Sequence, residues 1–129
     1  MNPLRQLQEQ GQAAWLDYIQ RSLIHDGGLR RLIQEDGLGG VTSNPSIFEK
    51  AIGGSKDYDP AIAELLDRDR RMTASELYES LAIEDIRLAA DELRPVYDRT
   101  GGGDGYVSLE VSPYLAHNTA TSLAEARQL

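Results

Sequence analysis

The sequence predicts an α/β fold: the first three strands, with their helices, of a partial (β/α)₈ TIM barrel. Three observations predict it. Short apolar runs alternate with longer stretches of helical periodicity, the pattern of a parallel sheet joined by right-handed crossovers. Each apolar run carries or ends in polar side chains, and in α/β folds ligands gather at the carboxyl ends of strands. The chain has 129 residues, whereas a closed barrel takes about 250. With three strands of eight, it holds under half of one.

The elements follow in order. Residues 1–12 are polar and glutamine-rich, suited to a short helix or a loose arm. Ala13 to Tyr18 is a compact apolar run broken by one carboxylate, Asp17, and reads as the first strand. A helical pattern with Leu29, Leu32 and Ile33 on one face is stopped by Gly37. Val41 marks the second strand. Pro45 suits the first turn of the next helix, where its missing N–H costs nothing, and Asn44 or Ser43 can cap it. Gly53-Gly54 ends that helix. Asp59-Pro60 starts another, with Ile62, Leu65 and Leu66 as its stripe. Thr73-Ala74-Ser75-Glu76 is a capping box, and Ile83, Ile86, Ala90, Leu93 and Tyr97 then recur at the spacing of a long helix's core face. Gly101 to Gly105 is a turn into the third strand. It lacks the Gly-Lys-Ser/Thr ending of a phosphate loop and precedes a strand instead of a helix. A last helix begins at Asn118 or Thr119 and reaches Leu129 without a stop signal. Residues 1–129 are accordingly expected to be the N-terminal portion of one longer, truncated domain.

Composition excludes several classes of function. Lys and Arg number 13 against 21 Asp and Glu, for a net charge of −8. Nucleic acid and anionic membrane both require a dense basic surface, so neither is an expected partner. No apolar run approaches bilayer length, and no basic-then-apolar leader opens the chain. Cysteine is absent, which removes disulfides and thiolate metal sites. His25 and His117 stand far apart without ligand spacing and read as surface or cap residues. The expected class is a soluble cytoplasmic protein with neither metal nor cofactor, and a homo-oligomer stays open.

Two carboxylates stand out. Asp17 lies inside an apolar strand, where burial is costly unless the group is paired or used. Glu110 sits between Leu109 and Val111 in the third strand run. Alternation would put it on one face with Ser108 and Ser112, opposite Val107, Leu109 and Val111. Paired with a buried Arg or a helix N-terminus, each would be structural; a polar face at strand ends is also the pattern of a barrel active site.

The stretch Val41-Thr42-Ser43-Asn44-Pro45 resembles the signature on the second barrel strand of the transaldolase family. Trp15-Leu16-Asp17-Tyr18-Ile19 and Gly105-Tyr106-Val107-Ser108-Leu109-Glu110-Val111-Ser112-Pro113 resemble that family in the same order. The resemblance implies a Schiff-base transaldolase of the pentose phosphate pathway. Such an enzyme moves a dihydroxyacetone unit from a ketose phosphate (sedoheptulose 7-phosphate or fructose 6-phosphate) to an aldose phosphate. It implies Asp17 as general acid/base, Glu110 orienting the catalytic water, and Asn44 bonding substrate hydroxyls, with Thr42 and Ser43 lining the pocket. The family's nucleophilic lysine and its phosphate-binding arginines belong to later strands. The lysines of this chain, Lys50 and Lys56, lie in hydrophilic surroundings and match neither role, so the 129 residues alone are expected to be inactive. Two other readings stay open: a non-catalytic binding or assembly protein on the same scaffold, and a related Schiff-base sugar-phosphate aldolase. Asp17, Asn44 and Glu110 together favour the enzyme, and the long helical insertion between Ser55 and Thr100 favours transaldolase over compact aldolases.

Overall fold

Three short parallel strands form the centre of the computed structural model, which describes residues 2–129: β1 (Trp15–Asp17), β2 (Gly40–Thr42) and β3 (Tyr106–Val107). They lie in the order β1-β2-β3. The register sets Trp15 beside Gly40 and Gly40 beside Tyr106, with Leu16, Val41 and Val107 in the next row. Asp17 pairs with Thr42. Seven α-helices accompany the described sheet: α1 (Pro3–Glu9), α2 (Arg21–His25), α3 (Gly28–Arg31), α4 (Pro45–Gly54), α5 (Asp59–Arg68), α6 (Ala74–Thr100) and α7 (Thr119–Gln128). A π-turn at Leu32–Asp36 extends α3 and closes on Gly37 at φ +71°, a left-handed position that glycine adopts at little cost.

Side-chain alternation divides the sheet into two faces. Val41 is buried among Ile19, Ile24, Leu29, Phe48, Ala89 and Leu93, with Leu16 and Val107 packed against the same cluster. Trp15, Asp17, Thr42 and Tyr106 belong to the other face. Three strands do not close on themselves, so that face is open to water and Asp17 is exposed. The expectation of a buried Asp17 is corrected on this point.

The third strand is shorter than its sequence predicts. Ladder pairing ends at Val107; the next residue, Ser108, is held to β2 by its N–H donating to the Val41 carbonyl at 3.0 Å and by two bonds that involve side chains. The Ser43 N–H donates to Ser108 Oγ at 3.1 Å, and Ser43 Oγ donates back to the Ser108 carbonyl at 2.6 Å. Leu109, Glu110 and Val111 lie outside the ladder.

The long helix α6 is the main cover of the sheet. Its capping box is formed as the sequence indicates: Thr73 Oγ1 accepts from the Glu76 N–H, and the Glu76 carboxylate accepts from the Thr73 N–H. The buried stripe, however, is Ala82, Asp85, Ala89, Leu93 and Val96. Of the residues expected there, Leu93 is buried, Ile83 and Ile86 are half-buried, and Ala90 and Tyr97 are exposed. The helix is turned by one residue, about 100°, because Asp85 has partners that require it inside.

Those partners form a buried polar cluster. Asp85 is fully buried. Its Oδ1 accepts from Arg21 Nε at 2.8 Å, and its Oδ2 accepts from the Tyr58 hydroxyl at 2.8 Å. Arg21 Nη2 also donates to Glu84 at 2.7 Å, and the guanidinium carbon lies 4.9 Å from the centre of the Tyr58 ring. The Arg21 N–H donates to the same Tyr58 oxygen at 3.1 Å. Burial pushes the Asp85 carboxyl up from its ordinary value, opposed by the bonds from Tyr58 and Arg21. Burial also lifts the Tyr58 phenol far above its usual range, and the bond to Asp85 adds to the effect. No buried side-chain polar atom among the described residues lacks a partner. Removing one member of a buried charged pair leaves the other unpaired in an apolar surround, at a cost of about 3–5 kcal/mol. Asp85→Ala is therefore expected to lower the unfolding free energy by about that amount in urea denaturation. A loss below about 1 kcal/mol, the worth of an exposed pair, would show the cluster to be dispensable.

Candidate active site

The carboxyl ends of β1 and β2 bring two of the predicted site residues together. Thr42 Oγ1 donates to Asp17 Oδ1 at 2.7 Å, across the register pair that the ladder sets. Among the described residues this hydroxyl is the donor to Asp17, so the second carboxylate oxygen is open to another proton. A carboxylate oriented by a neighbouring hydroxyl and facing an open surface can accept and return a proton.

Beneath this pair lies an aromatic layer. A side chain at Gly40 would meet the Trp15 indole at 2.5 Å, so the absence of a Cβ lets the ring lie across the strand. Trp15 Nε1 donates to Asp104 Oδ1 at 3.0 Å. Tyr106, next in the same row, packs edge-on against Tyr97 at 5.5 Å and donates its hydroxyl to the Gly102 carbonyl at 2.7 Å.

The other predicted residues are placed differently. Asn44 is the N-cap of α4, its Oδ1 accepting from the Ile47 N–H at 2.9 Å. The cap uses the oxygen and leaves the amide N–H₂ as a donor. Ser43 was expected to line the pocket, but it is 1 % exposed and its hydroxyl is spent on Ser108. It lies on the helix side because it alternates with Thr42. Glu110 is exposed, beyond the end of β3, in a groove with Pro45, Tyr78, Glu79 and Leu109. Burial raises the Tyr78 phenol pKa, and the Glu110 charge raises it further. The expectation that Glu110 is a buried strand residue is corrected: the ladder ends before it, and nothing in the strand pairing sets its face.

Sequence reasoning missed Arg21, Tyr58 and Asp85. The available signal was Asp85 itself, at helical spacing between Ala82 and Ala89 on the small-residue stripe of α6. Lys50 and Lys56 are both exposed. No helix among the described residues is long and apolar enough to cross a membrane.

The family model for transaldolase/fructose-6-phosphate aldolase matches residues 14–129. The chain belongs to this family. It is 46 % identical to a transaldolase of Thiobacillus denitrificans over 129 residues, which are all of this chain and 35 % of that protein. It is 49 % identical to transaldolase 2 of Streptomyces coelicolor over 126 residues, 98 % of this chain and 33 % of the relative. Transaldolase 2 of Nostoc punctiforme is 42 % identical over 127 residues, 98 % of this chain and 33 % of the relative. The chain thus spans about a third of the length of the curated relatives it matches. Within this transaldolase-family chain, the matched segment covers all three strands and Asp17, Thr42, Asn44 and Glu110.

Trp15 is the single tryptophan of the chain, so its ring reports on the layer beneath Asp17. Gly40→Ala would push the indole off the strand and break its bond to Asp104. A shift of tryptophan emission is expected relative to wild type, and an unchanged spectrum would show that the ring does not rest on Gly40.

Proposed function

We propose that the chain is the N-terminal third of a transaldolase and holds the acid/base side of its catalytic site. The observation that carries this reading is the Asp17–Thr42 hydrogen bond at the carboxyl ends of adjacent parallel strands, in a chain of this family. The relatives' names support the transaldolase branch over the aldolase branch.

In this reading a lysine amine, contributed by a later strand of the whole protein, attacks the carbonyl of sedoheptulose 7-phosphate or fructose 6-phosphate. The carbinolamine loses water to give an iminium. That cation draws the electron pair of the C3–C4 bond as the bond breaks, leaving a dihydroxyacetone enamine. Asp17 takes the proton of the C4 hydroxyl as the carbonyl of the departing aldose forms, and returns it when the enamine adds to an acceptor aldose phosphate. The Asn44 amide N–H₂ donates to a substrate hydroxyl, and Thr42 keeps the Asp17 carboxylate in place. Glu110 orients the water of the carbinolamine steps, a role that requires residues 108–112 to run on the Asp17 side in the whole protein. In this reading the protein works in the pentose phosphate pathway of the cytoplasm, with sugar phosphates as partners and no cofactor.

Lys50 and Lys56 do not supply the nucleophile. A Schiff-base amine needs a desolvated setting that keeps it partly neutral, and both lysines are exposed. Borohydride reduction in the presence of fructose 6-phosphate, followed by intact mass measurement, is expected to leave the 129-residue chain unmodified. The complete protein should gain one dihydroxyacetone adduct. An adduct on Lys50 or Lys56 would reverse the assignment.

Asp17→Ala in the complete protein is expected to lower turnover by about 10²–10⁴-fold, the usual share of a general acid/base group, with a much smaller change in KM. Near-normal turnover would make Asp17 a structural residue.

A further inference from the structure

Between Asp17 and the buried cluster the chain passes through three residues, Tyr18, Ile19 and Gln20, and these are anchored from outside the sheet. Ile19 is buried in the main core. Gln20 accepts from the Tyr18 hydroxyl and donates through Nε2 to Asp57 Oδ2 at 2.8 Å. Arg21, next in sequence, gives its N–H to the Tyr58 oxygen at 3.1 Å and its guanidinium to Asp85 and Glu84. The Tyr58 hydroxyl is the node: it accepts from the Arg21 backbone while donating to Asp85 Oδ2 at 2.8 Å. Asp57 and Tyr58 belong to the connection between α4 and α5, and Asp85 belongs to α6. The end of β1 is therefore fixed by two elements that contribute no strand.

β1 is three residues long, and its ladder with β2 ends at the Asp17–Thr42 pair. Thr42 fixes one oxygen of an otherwise exposed carboxylate. We infer that Tyr58, acting through the Arg21 backbone and Asp85, is the positioning residue for the Asp17 carboxylate, with Gln20–Asp57 as a secondary hold on the same turn. This inference rests on the reading of Asp17 as the acid/base group. Displacing a catalytic group by about 1 Å can cost up to about 10²-fold in rate, so loosening the turn should act on turnover and not on affinity.

The test is steady-state kinetics of the complete protein with fructose 6-phosphate as donor, on three variants kept well below their unfolding temperatures. Tyr58→Phe keeps the ring beside the Arg21 guanidinium and deletes the hydroxyl. Gln20→Ala releases the turn at its half-buried rim without entering the cluster, so it reads the same effect if Tyr58→Phe folds poorly. The expected result is a fall in kcat of about 10-fold for Tyr58→Phe and about 3-fold for Gln20→Ala, with KM within twofold of wild type in both. Asp17→Asn, run alongside, separates the two claims. Loss of turnover in Asp17→Asn with unchanged kcat in the other two variants overturns the positioning role and leaves the acid/base reading standing. Normal turnover in Asp17→Asn overturns the acid/base reading and the inference with it. A loss that appears in KM with kcat unchanged also overturns the positioning role.

Discussion

A fully buried carboxylate that must meet an arginine and a tyrosine hydroxyl at once leaves a fold few alternatives. Asp85 cannot rotate out of the core of α6 without leaving Arg21 and Tyr58 short of a partner, and an unpaired charge in such a place costs more than most single packing contacts. The requirement fixes the rotation of a 27-residue helix, the start of α2 and the connection into α5. Apolar contacts then fill in around it: Tyr58 and Leu81 join Ala51 in one cluster, while Ala82, Ala89, Leu93 and Val96 close over the sheet in another. A purely apolar stripe on α6 could slide or turn with modest loss. Two directional bonds to one buried carboxylate cannot.

The same constraint steadies the ends of the short strands. Strands of two or three residues provide little ladder bonding, and the face carrying Asp17 has water on it. Precision has to come from elsewhere. On the open face it comes from Thr42 beside Asp17 and from Trp15 lying over Gly40 and tied to Asp104. Behind the sheet it comes from the polar cluster, reached through a turn whose residues are buried or bonded. The N-terminal helix follows a similar logic at the other end of the chain. Arg5 donates to the Gln34 and Glu35 carbonyls and Gln8 to the Gly37 carbonyl, so α1 supplies donors to the carbonyls at the end of the Leu32–Asp36 turn, which have no further helical partners.

Much of this was legible in the sequence because it depends on local signals. Apolar runs, Pro45 after Asn44, the Thr73–Glu76 capping box and Gly101 each specify their own neighbourhood, and the structure forms the corresponding strands, caps and stops. Asp17, Thr42 and Asn44 follow directly from their places at strand ends. What was not legible depends on partners distant in sequence. Ile83, Ile86 and Ala90 look like the core stripe of α6 when only hydrophobicity is weighed; the true stripe admits Asp85, whose partners lie 64 and 27 residues away. Period-two alternation placed Glu110 with Ser108, but alternation holds only while the ladder lasts, and the ladder ends at Val107. Ser43 shows the reverse case, since continued alternation past Thr42 sends its hydroxyl to the helix side.

The reciprocal bonds between Ser43 and Ser108 span 65 residues of sequence, and that separation has a consequence for how the sheet assembles. β1 and β2 can pair as soon as the chain reaches Thr42. The second edge of β2 must wait until α4, α5 and the whole of α6 have been made and have turned back through Gly105, whose N–H meets the Gly39 carbonyl at 2.7 Å. Contacts of such long range are slow to form, because loop closure comes before any return in bonding. During that interval β2 is an exposed edge of glycine, valine and threonine, a natural docking strip for another nascent chain. Order of synthesis, and not the final packing alone, thereby sets how long that edge waits for β3.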